Sequence, residues 1–531
     1  MKKIFYLFLT FISFASLAYS QGEVEALTYS KNDLFGTARS MSMAGAFGAL
    51  GGDQTAISIN PAGIGVYRTS EIVGTLGIVS TSINSSSKTL SNNDFSMTNF
   101  GFVGHIPTRN DMFANINVGF TYNRHNAFNS ELHASGSSNS RLIDYIVNRT
   151  NAANDGKGIQ PSFLERVKNK PEPFIHEPWV SVLGYNGYLI NPELSGTDFT
   201  GYYSGLDTHG ETPMKQVKMK ERGHIDTYDF TVGTSIGHKI NLGLAISVYD
   251  LRHTATRDYL EDYKSGGYTL SNYSETKGAG VGAKFGIIFR PINEIRLGVA
   301  YHTPIFYSMT ESYSGRIDHD LKAYVLDANY KSDYLDSGIY TEDYNLQTPG
   351  KWIVSLAGVL AKRCIISVDY EMTNYKQMKL ELPAHIEALE PSKWFEYDNE
   401  YIREDHRIAS TVKVGMEYRF TPQFSGRLGY AWMQNPYNAD FVKRGNAALP
   451  QYRANTGYKM IGDANYFTGG FGYRFNQHFF MDLALVYKTQ SDDLYPYPNI
   501  SDDAGNIVVE GSPISIKNNS LRGLLTLGYK F

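Results

Sequence analysis

From Glu71 to Phe531 the connections between strand-like segments alternate, one short and the next long, and few folds need that pattern. Fourteen segments carry strand composition, over about 71–82, 98–106, 112–124, 224–236, 239–253, 273–290, 294–309, 350–361, 364–378, 405–420, 423–434, 463–475, 478–490 and 515–531. Short connections lie at Pro107 to Asp111, Gly237-His238, Pro291 to Glu294, Lys362-Arg363, Thr421-Pro422 and Asn476-Gln477. Long ones cover 83–97, 125–223, 254–272, 310–349, 379–404, 435–462 and 491–514. A membrane barrel has this arrangement, because its strands return through tight turns on one side of the bilayer and longer loops on the other. A soluble β-sandwich has no reason to alternate. The expected fold is all-β, a 14-stranded antiparallel transmembrane β-barrel over 71–531.

Several segments show the period of two that a barrel wall requires. Leu242, Leu244, Ile246 and Val248 alternate with Asn241, Gly243, Ala245 and Ser247. Val412, Val414, Met416, Tyr418 and Phe420 do the same, as do Met481, Leu483, Leu485 and Tyr487. A mean hydropathy of −0.32 is compatible with a membrane barrel, whose polar lumen and loops dilute its apolar outer face. After the first twenty residues no run reaches the ~18–20 apolar residues of a helical span. Asp369, Glu371, Lys413, Glu417, Arg419, Arg474, Asp482, Lys488 and Arg522 fall on the opposite faces. They are expected to pair across a hydrated lumen, since charge facing lipid is costly.

Residues 1–20 are a separate object. Lys2-Lys3, an apolar run from Ile4 to Leu17 and small residues around Ala18-Tyr19-Ser20 read as a signal peptide cut before Gln21. The single cysteine, Cys364, allows no internal disulfide. Residues 21–70 then contain SMSMAGAFGALGGDQTAISINPAGIGVY, from Ser40 to Tyr67. Side chains this small let backbone approach backbone, and Gly51-Gly52 and Asn60-Pro61 force turns. Eight strands enclose a barrel that side chains can fill, and fourteen leave a wider lumen needing a stopper. The 21–70 segment is expected to be that internal plug.

The small-residue stretch ending in Asn60-Pro61-Ala62-Gly63 resembles the N-terminal hatch of the FadL/TodX family of outer-membrane hydrocarbon transporters. The resemblance implies passive, energy-independent uptake of hydrophobic molecules, such as long-chain fatty acids or aromatic hydrocarbons. A ligand would dock on outer-loop aromatics, enter an apolar lumen pocket and displace the hatch near Asn60, Pro61, Ala62 and Gly63. A kinked strand beside the hatch would open sideways to the membrane; the sequence does not locate the kink, and the third strand, with Asn115 and Asn117, is one place to look. The terminal strand ends on Phe531, which resembles the signal by which barrel-assembly machinery recognises its clients.

Within the hatch, Phe47, Leu50 and Ile57 either face ligand or pack its core. In the longest loop, Ser140 to Asn148 and Ser162 to Lys170 read as short helices, with Ser140 and Ser162 as N-caps. Trp179, Tyr185, Tyr188 and Phe199 follow, either as a docking site for a greasy ligand or as the loop's own core.

No constellation points to catalysis or a cofactor. Gly278, Gly280 and Gly282 alternate along a strand with no helix after them, so they make room on one face, for the plug, instead of cradling phosphate. The thirteen histidines lack zinc spacing, and there is no Gly-x-Ser-x-Gly elbow. With 49 basic against 53 acidic residues, nothing favours nucleic acid. The expected partners are a hydrophobic small molecule, outer-membrane lipid and the assembly machinery, at the bacterial outer membrane. Two other readings stay open: a barrel-anchored surface module for secretion or adhesion, including haem capture by His176, His209 or His385, and a lipid-modifying enzyme.

Overall fold

The computed structural model describes residues 22–531 apart from 86–88, 109–111, 167–171, 205–210, 265, 321–333, 388–389, 445–452 and 502–505. The signal-peptide expectation for 1–20 lies outside the described residues. Fourteen antiparallel strands form the wall: β1 Glu71–Asn84, β2 Thr89–Pro107, β3 Phe113–Ser137, β4 Met214–Ile236, β5 Ile240–Tyr263 and β6 Gly266–Ile292. β7 comprises Ile295–His302 and Phe306–His319, and β8 comprises Tyr340–Gln347 and Lys351–Leu360. β9 is Cys364–Asn374, continued by Lys379–Glu381, then β10 Ile408–Arg419, β11 Phe424–Met433, β12 Tyr458–Arg474, β13 Phe479–Tyr495 and β14 Ile514–Lys530. β1 pairs with β14 from Glu71↔Lys530 to Asn84↔Lys517, so the sheet closes on itself and has no edge.

The alternating apolar residues face outward. Leu244, Ile246 and Val248 on β5, Val354 and Leu356 on β8, and Leu483 and Leu485 on β13 are all exposed, as lipid-facing side chains must be. Among the described residues, no helix is long and apolar enough to cross a membrane. The chain is a transmembrane β-barrel.

The strands reach further than the sequence pattern suggested. β2 starts at Thr89, β3 runs to Ser137, β4 begins at Met214, and β5 and β6 stay paired as far as Tyr263↔Gly266. The stretches 83–97 and 254–272 are therefore mostly ladder, and the 125–223 connection shrinks to 138–213. Beyond the lipid the outward face is wetted by water, so the apolar half of the alternation stops while the ladder continues.

Residues 22–66 fill the lumen as short helices, α1 Glu23–Ser30, α2 Ala38–Ser42 and α3 Gln54–Ile59, followed by a 3-10 turn over Pro61–Val66. Space for them comes from glycines on the wall. A Cβ at Gly243 of β5 would sit 2.2 Å from the Pro61 carbonyl, and one at Gly415 of β10 would sit 2.6 Å from the Met43 carbonyl oxygen. Gly233, Gly286, Gly298 and Gly470 meet the hatch in the same way. Gly278, Gly280 and Gly282 do not. They make room for Met309, Tyr307 and the Pro304 carbonyl of β7, so their service is to the wall.

The 138–213 segment folds into a lid across the opposite mouth. It contains α4 Leu142–Gly156, α5 Pro161–Leu164, α6 Trp179–Asn186 and a hairpin of Ile190–Ser195 with Asp198–Ser204. Its core joins Ile143, Trp179, Leu183 and Tyr202 to Leu132, Val217, Tyr259, Leu270, Ile317 and Leu494 from the strand extensions. The N-caps are not Ser140 and Ser162: α4 is capped at Arg141 and α5 at Gln160, with Pro161 preset for a first helical turn. Ser140 hydrogen-bonds Tyr497 instead, at 2.5 Å.

Candidate functional site

The hatch turn is built on one asparagine. Asn60 ends α3 and caps the next turn, its Oδ1 accepting from the Ala62 N–H at 3.1 Å. Its Nδ2 donates to the Gly48 carbonyl at 2.7 Å and lies 3.3 Å from the Ile287 carbonyl of the wall. Pro61, Ala62 and Gly63 are buried against β4 to β6. Gly51, at φ +63°, faces Gly63 so closely that a Cβ would lie 3.0 Å from the Gly63 carbonyl oxygen. Asn115 and Asn117 donate to the carbonyls of Gly65 and Ile64, at 3.2 and 2.6 Å. The pairing of β3 with β4 shifts register between Phe113 and Asn115, and the two asparagines hold the hatch.

Charge tethers add to this. Arg39 pairs with Glu417 of β10 at 3.1 Å, and Glu417 also accepts from Arg427 at 2.6 Å. Asp33 accepts from Arg522 and from the Tyr466 hydroxyl, with Lys488 at 3.6 Å. Glu25 faces Arg453 at 3.4 Å, and Arg453 faces Glu311 at 2.5 Å. The inward charges therefore pair partly with one another and partly with three hatch residues. Sequence inspection passed over Glu25, Asp33 and Arg39, although charged residues flanking a stretch of Ala and Gly are a usable signal for tethers.

Phe47 and Leu50 are buried in a cluster with Met43, Ala300 and Ile353, and Ile57 packs on Ile64, Tyr67 and Val103. None of the three lines the cavities described next. Trp179 is 1% exposed, packed between Tyr313 and Tyr340 at ring distances of 5.0 and 5.1 Å. Tyr185 and Phe199 are half-buried against Tyr202, while Tyr188 is exposed. Of these four aromatics, Tyr188 is the one open to solvent.

Two of the cavities between hatch and wall lie beside α1 and the segment that follows it. The larger, about 270 Å³, sits beside α1 and is lined by Glu25, His253, Arg257, Glu311, Arg453 and Lys459. There the Tyr29 hydroxyl meets His253 Nδ1 at 3.1 Å and donates to Thr276. The smaller, about 80 Å³, is lined by Lys31, His125, Lys284, His302, Lys351, Glu371 and Lys413. The two share Lys31, Asn32, Asp33 and Ile461. The expected apolar lumen pocket is met in part: both linings mix charged side chains with apolar ones, Leu34, Phe35, Ile59, Ile305 and Met433 in the smaller cavity and Val24, Leu27, Phe128 and Leu494 in the larger.

The smaller cavity reaches the wall at a defect. β7 is interrupted at Thr303-Pro304-Ile305 and β8 beside it at Thr348-Pro349-Gly350. Neither proline has an N–H for the ladder. Side chains patch the gap: Ile305 N–H donates to Thr348 Oγ1 at 2.9 Å, and Ala283 N–H to Thr303 Oγ1 at 3.0 Å. Thr303, Ile305, Thr348 and Pro349 all line the cavity. β3 has the irregularity looked for there, a register shift against β4 between Phe113 and Asn115, and β7 and β8 add a second at their prolines. A proline inside a strand-like run was the available sign, since 294–309 passes over Pro304.

Phe531 is exposed at the turn side of the barrel, its N–H donating to Ser70 at 3.0 Å and its ring stacked on Phe102. Among the described residues no cluster of His, Cys, Asp and Glu could hold a metal ion.

No family model and no curated protein matches the chain. Among solved structures, a FadL homologue from Pseudomonas aeruginosa is similar at 12% identity and a TM-score of 0.49, over 94% of this chain and 99% of that one. The toluene transporter TodX from P. putida is similar at 10% identity and 0.47, over 94% and 99%. The monoaromatic hydrocarbon channel CymD is similar at 10% identity and 0.44, over 94% and 98%. These are likenesses of overall course, while the barrel, the filled lumen and the lid stand on the pairing and contacts of this chain itself.

Proposed function

We propose that this protein is a passive outer-membrane conduit for apolar or amphipathic small molecules, which pass between the lumen and the membrane through the wall. The observation that carries the reading is the cavity above the hatch ending at the paired interruptions of β7 and β8. With the lid across one mouth and the hatch in the lumen, a molecule with an apolar part has a shorter path sideways into lipid than along the axis. Displacement of the hatch around Asn60 to Gly63 would free the rest of the lumen, and lid aromatics such as Tyr188 would make first contact.

The test is a staple across the gap. Ile305→Cys with Thr348→Cys, in a Cys364→Ser background, joins the two strands where their backbones already touch. Uptake of a radiolabelled hydrophobic panel by cells should fall at least about tenfold when the pair is oxidised and return on reduction, a change of about 1.4 kcal/mol in the limiting barrier. Equal uptake in both states rules out the lateral route. Asn60→Ala with Pro61→Ala should change uptake with the barrel still assembled, and loss of the folded band in heat-shift gels would make that turn purely structural.

A further inference from the structure

The turn side of the barrel carries cations that nothing in the chain answers. Lys239 stands between β4 and β5, Arg290 and Arg296 flank the turn between β6 and β7, and Lys362 and Arg363 form the tip between β8 and β9. Arg419 and Arg474 end β10 and β12. Glu294 is the one acid among the described residues of these turns. Glu417, a step further into the lumen, is already taken by Arg39 and Arg427. Among the described residues none of the turn cations forms an ion pair. Arg290 donates to the His238 carbonyl at 2.6 Å, and Arg296 to the Leu50 carbonyl of the hatch. On the loop side, by contrast, Lys379 meets Glu381, Arg316 meets Asp318, Lys393 meets Glu390 and Arg166 meets Glu172, at 2.5 to 3.2 Å. With 49 basic and 53 acidic residues in the whole chain, the excess at the turns is local.

The arginines do not face lipid. Phe289, Leu297, Tyr418, Phe420, Tyr473 and Phe475 are exposed on the outward face. Alternation then puts Arg290, Arg296, Arg419 and Arg474 on the other face, at the mouth of the lumen. Arg474 lines a cleft there with Arg39 and Arg427. The Arg363 carbonyl accepts from the Arg419 N–H at 2.8 Å, so one turn stands directly beside the next. At ~4.8 Å per strand, the rim from the β6–β7 turn to the β12–β13 turn spans about 30 Å. A small anion would cover one or two of these arginines. A protein interface of ~800 Å² per partner is about 30 Å across and covers the arc. Unopposed charge of one sign over such an arc is complementary to an acidic protein face.

We propose that the turn-side mouth is a docking surface for a soluble protein with an acidic face. Arg290, Arg296, Arg419 and Arg474 receive its carboxylates, and Lys362 and Arg363 meet its edge. Arg296 also holds Leu50, so the docked partner touches hatch and wall together. The inference goes beyond the transport reading and rests on the charge of one rim, whatever the lumen carries.

The experiment uses the full-length protein in nanodiscs of neutral lipid, with fluorescent polyglutamate of about 30 residues as the probe, long enough when extended to pass the whole arc. The probe should bind at about 50 mM salt and lose at least about tenfold in affinity at about 300 mM. Arg419→Gln with Arg474→Gln, which breaks no ion pair, should weaken it about tenfold, while Arg316→Gln with Lys379→Gln on the loop side should stay within about twofold. If the first pair gives no folded band in heat-shift gels, Lys362→Gln with Arg363→Gln, on an exposed tip, takes its place with the same expectation. Triglutamate at equal carboxylate concentration should not displace the probe. No binding at low salt overturns the proposal, as does an equal loss in the loop-side pair. Displacement by triglutamate overturns it in favour of a small-anion site. Phosphatidylglycerol that gathers around the wild type in mixed lipid and disperses in the arginine variant assigns the ring to headgroups, which also overturns it.

Discussion

The two sides of the barrel are built to different heights. β3 to β6 run 23 to 27 residues each and stay paired throughout. On the opposite side, the lower part of β8 has 10 residues, β9 has 11, β10 has 12 and β11 has 10. Ten residues at ~3.3 Å each, tilted ~40°, rise about 25 Å, which is the height of the apolar band alone. The tall side continues past the lipid and gives the lid its platform. The low side stops at the lipid edge, and there β7 and β8 are interrupted at their prolines and the smaller cavity meets them. A barrel can thus carry its lid on one flank and its strand interruptions on the other.

The tall side should be the costlier one to damage. Glu261 of β5 is fully buried and accepts from the hydroxyls of Tyr259 at 2.7 Å and Tyr263 at 2.9 Å, from Tyr268, and from the Leu142 N–H at the start of α4 at 2.8 Å. It fixes the lid by opposing the positive end of a helix of 15 residues. Glu261→Ala leaves up to four buried donors without an acceptor, at about 1–3 kcal/mol for each that water cannot reach. The expected outcome is fast hydrogen exchange across Leu142–Gly156 with an unchanged heat-shift of the barrel. Trp179→Ala should loosen the lid by a further about 3–5 kcal/mol, whereas Tyr188→Ala, on the exposed side, should stay within about 0.5 kcal/mol. If the barrel melts with the lid, the two are one cooperative unit and the contrast drawn here is wrong.

That contrast also explains what could be read in advance. The apolar alternation of Leu244, Ile246 and Val248 marks the strand core, because lipid and lumen impose opposite demands on neighbouring residues. Above the lipid both faces of the β2 run from Thr89 to Thr98 are largely polar, and a ladder there looks like a loop. The hatch could be read from its small residues, since glycine and alanine serve close packing wherever they occur. The wall partners of its tethers could not, because pairing of Asp33 with Arg522 or of Arg39 with Glu417 depends on contacts hundreds of residues apart. The cavity was beyond reach for the same reason: Lys31, Lys351 and Lys413 lie on three elements that only barrel closure brings together.

A smaller effect is expected at the hatch, which belongs to both sides. Gly243 on tall β5 faces Pro61, and Gly415 on low β10 faces Met43. Gly243→Val should misplace the hatch turn at about 1–3 kcal/mol of overpacking, seen as new protease cuts within residues 54–66. Gly415→Val should do the same near residues 40–48. Equal protease resistance in both variants would mean that the hatch has room to shift, and close packing would not be what seats it.

The smallest effect lies above the low side, where α7, Glu396–Asp405, packs on α1 of the hatch and on the continuation of β9. Asp398 in its first turn is half-buried, and burial raises its carboxyl to about 7. The unfolded segment would hold that proton only below the ordinary aspartate range, near 3.9. Between those two values the docked helix binds a proton that the undocked one has lost. Docking is therefore firmest at pH 4 and below, weakens as the pH rises through about 7, and changes no further above that. Hydrogen exchange in Glu396–Asp405, corrected for its intrinsic pH dependence, should show more protection at pH 5 than at pH 8. Asp398→Asn should flatten the profile at the protected level, because an amide keeps the shape without the charge. A profile that stays sloped in Asp398→Asn assigns the dependence to another group, and α7 would then dock with equal firmness at every pH this carboxyl can sense.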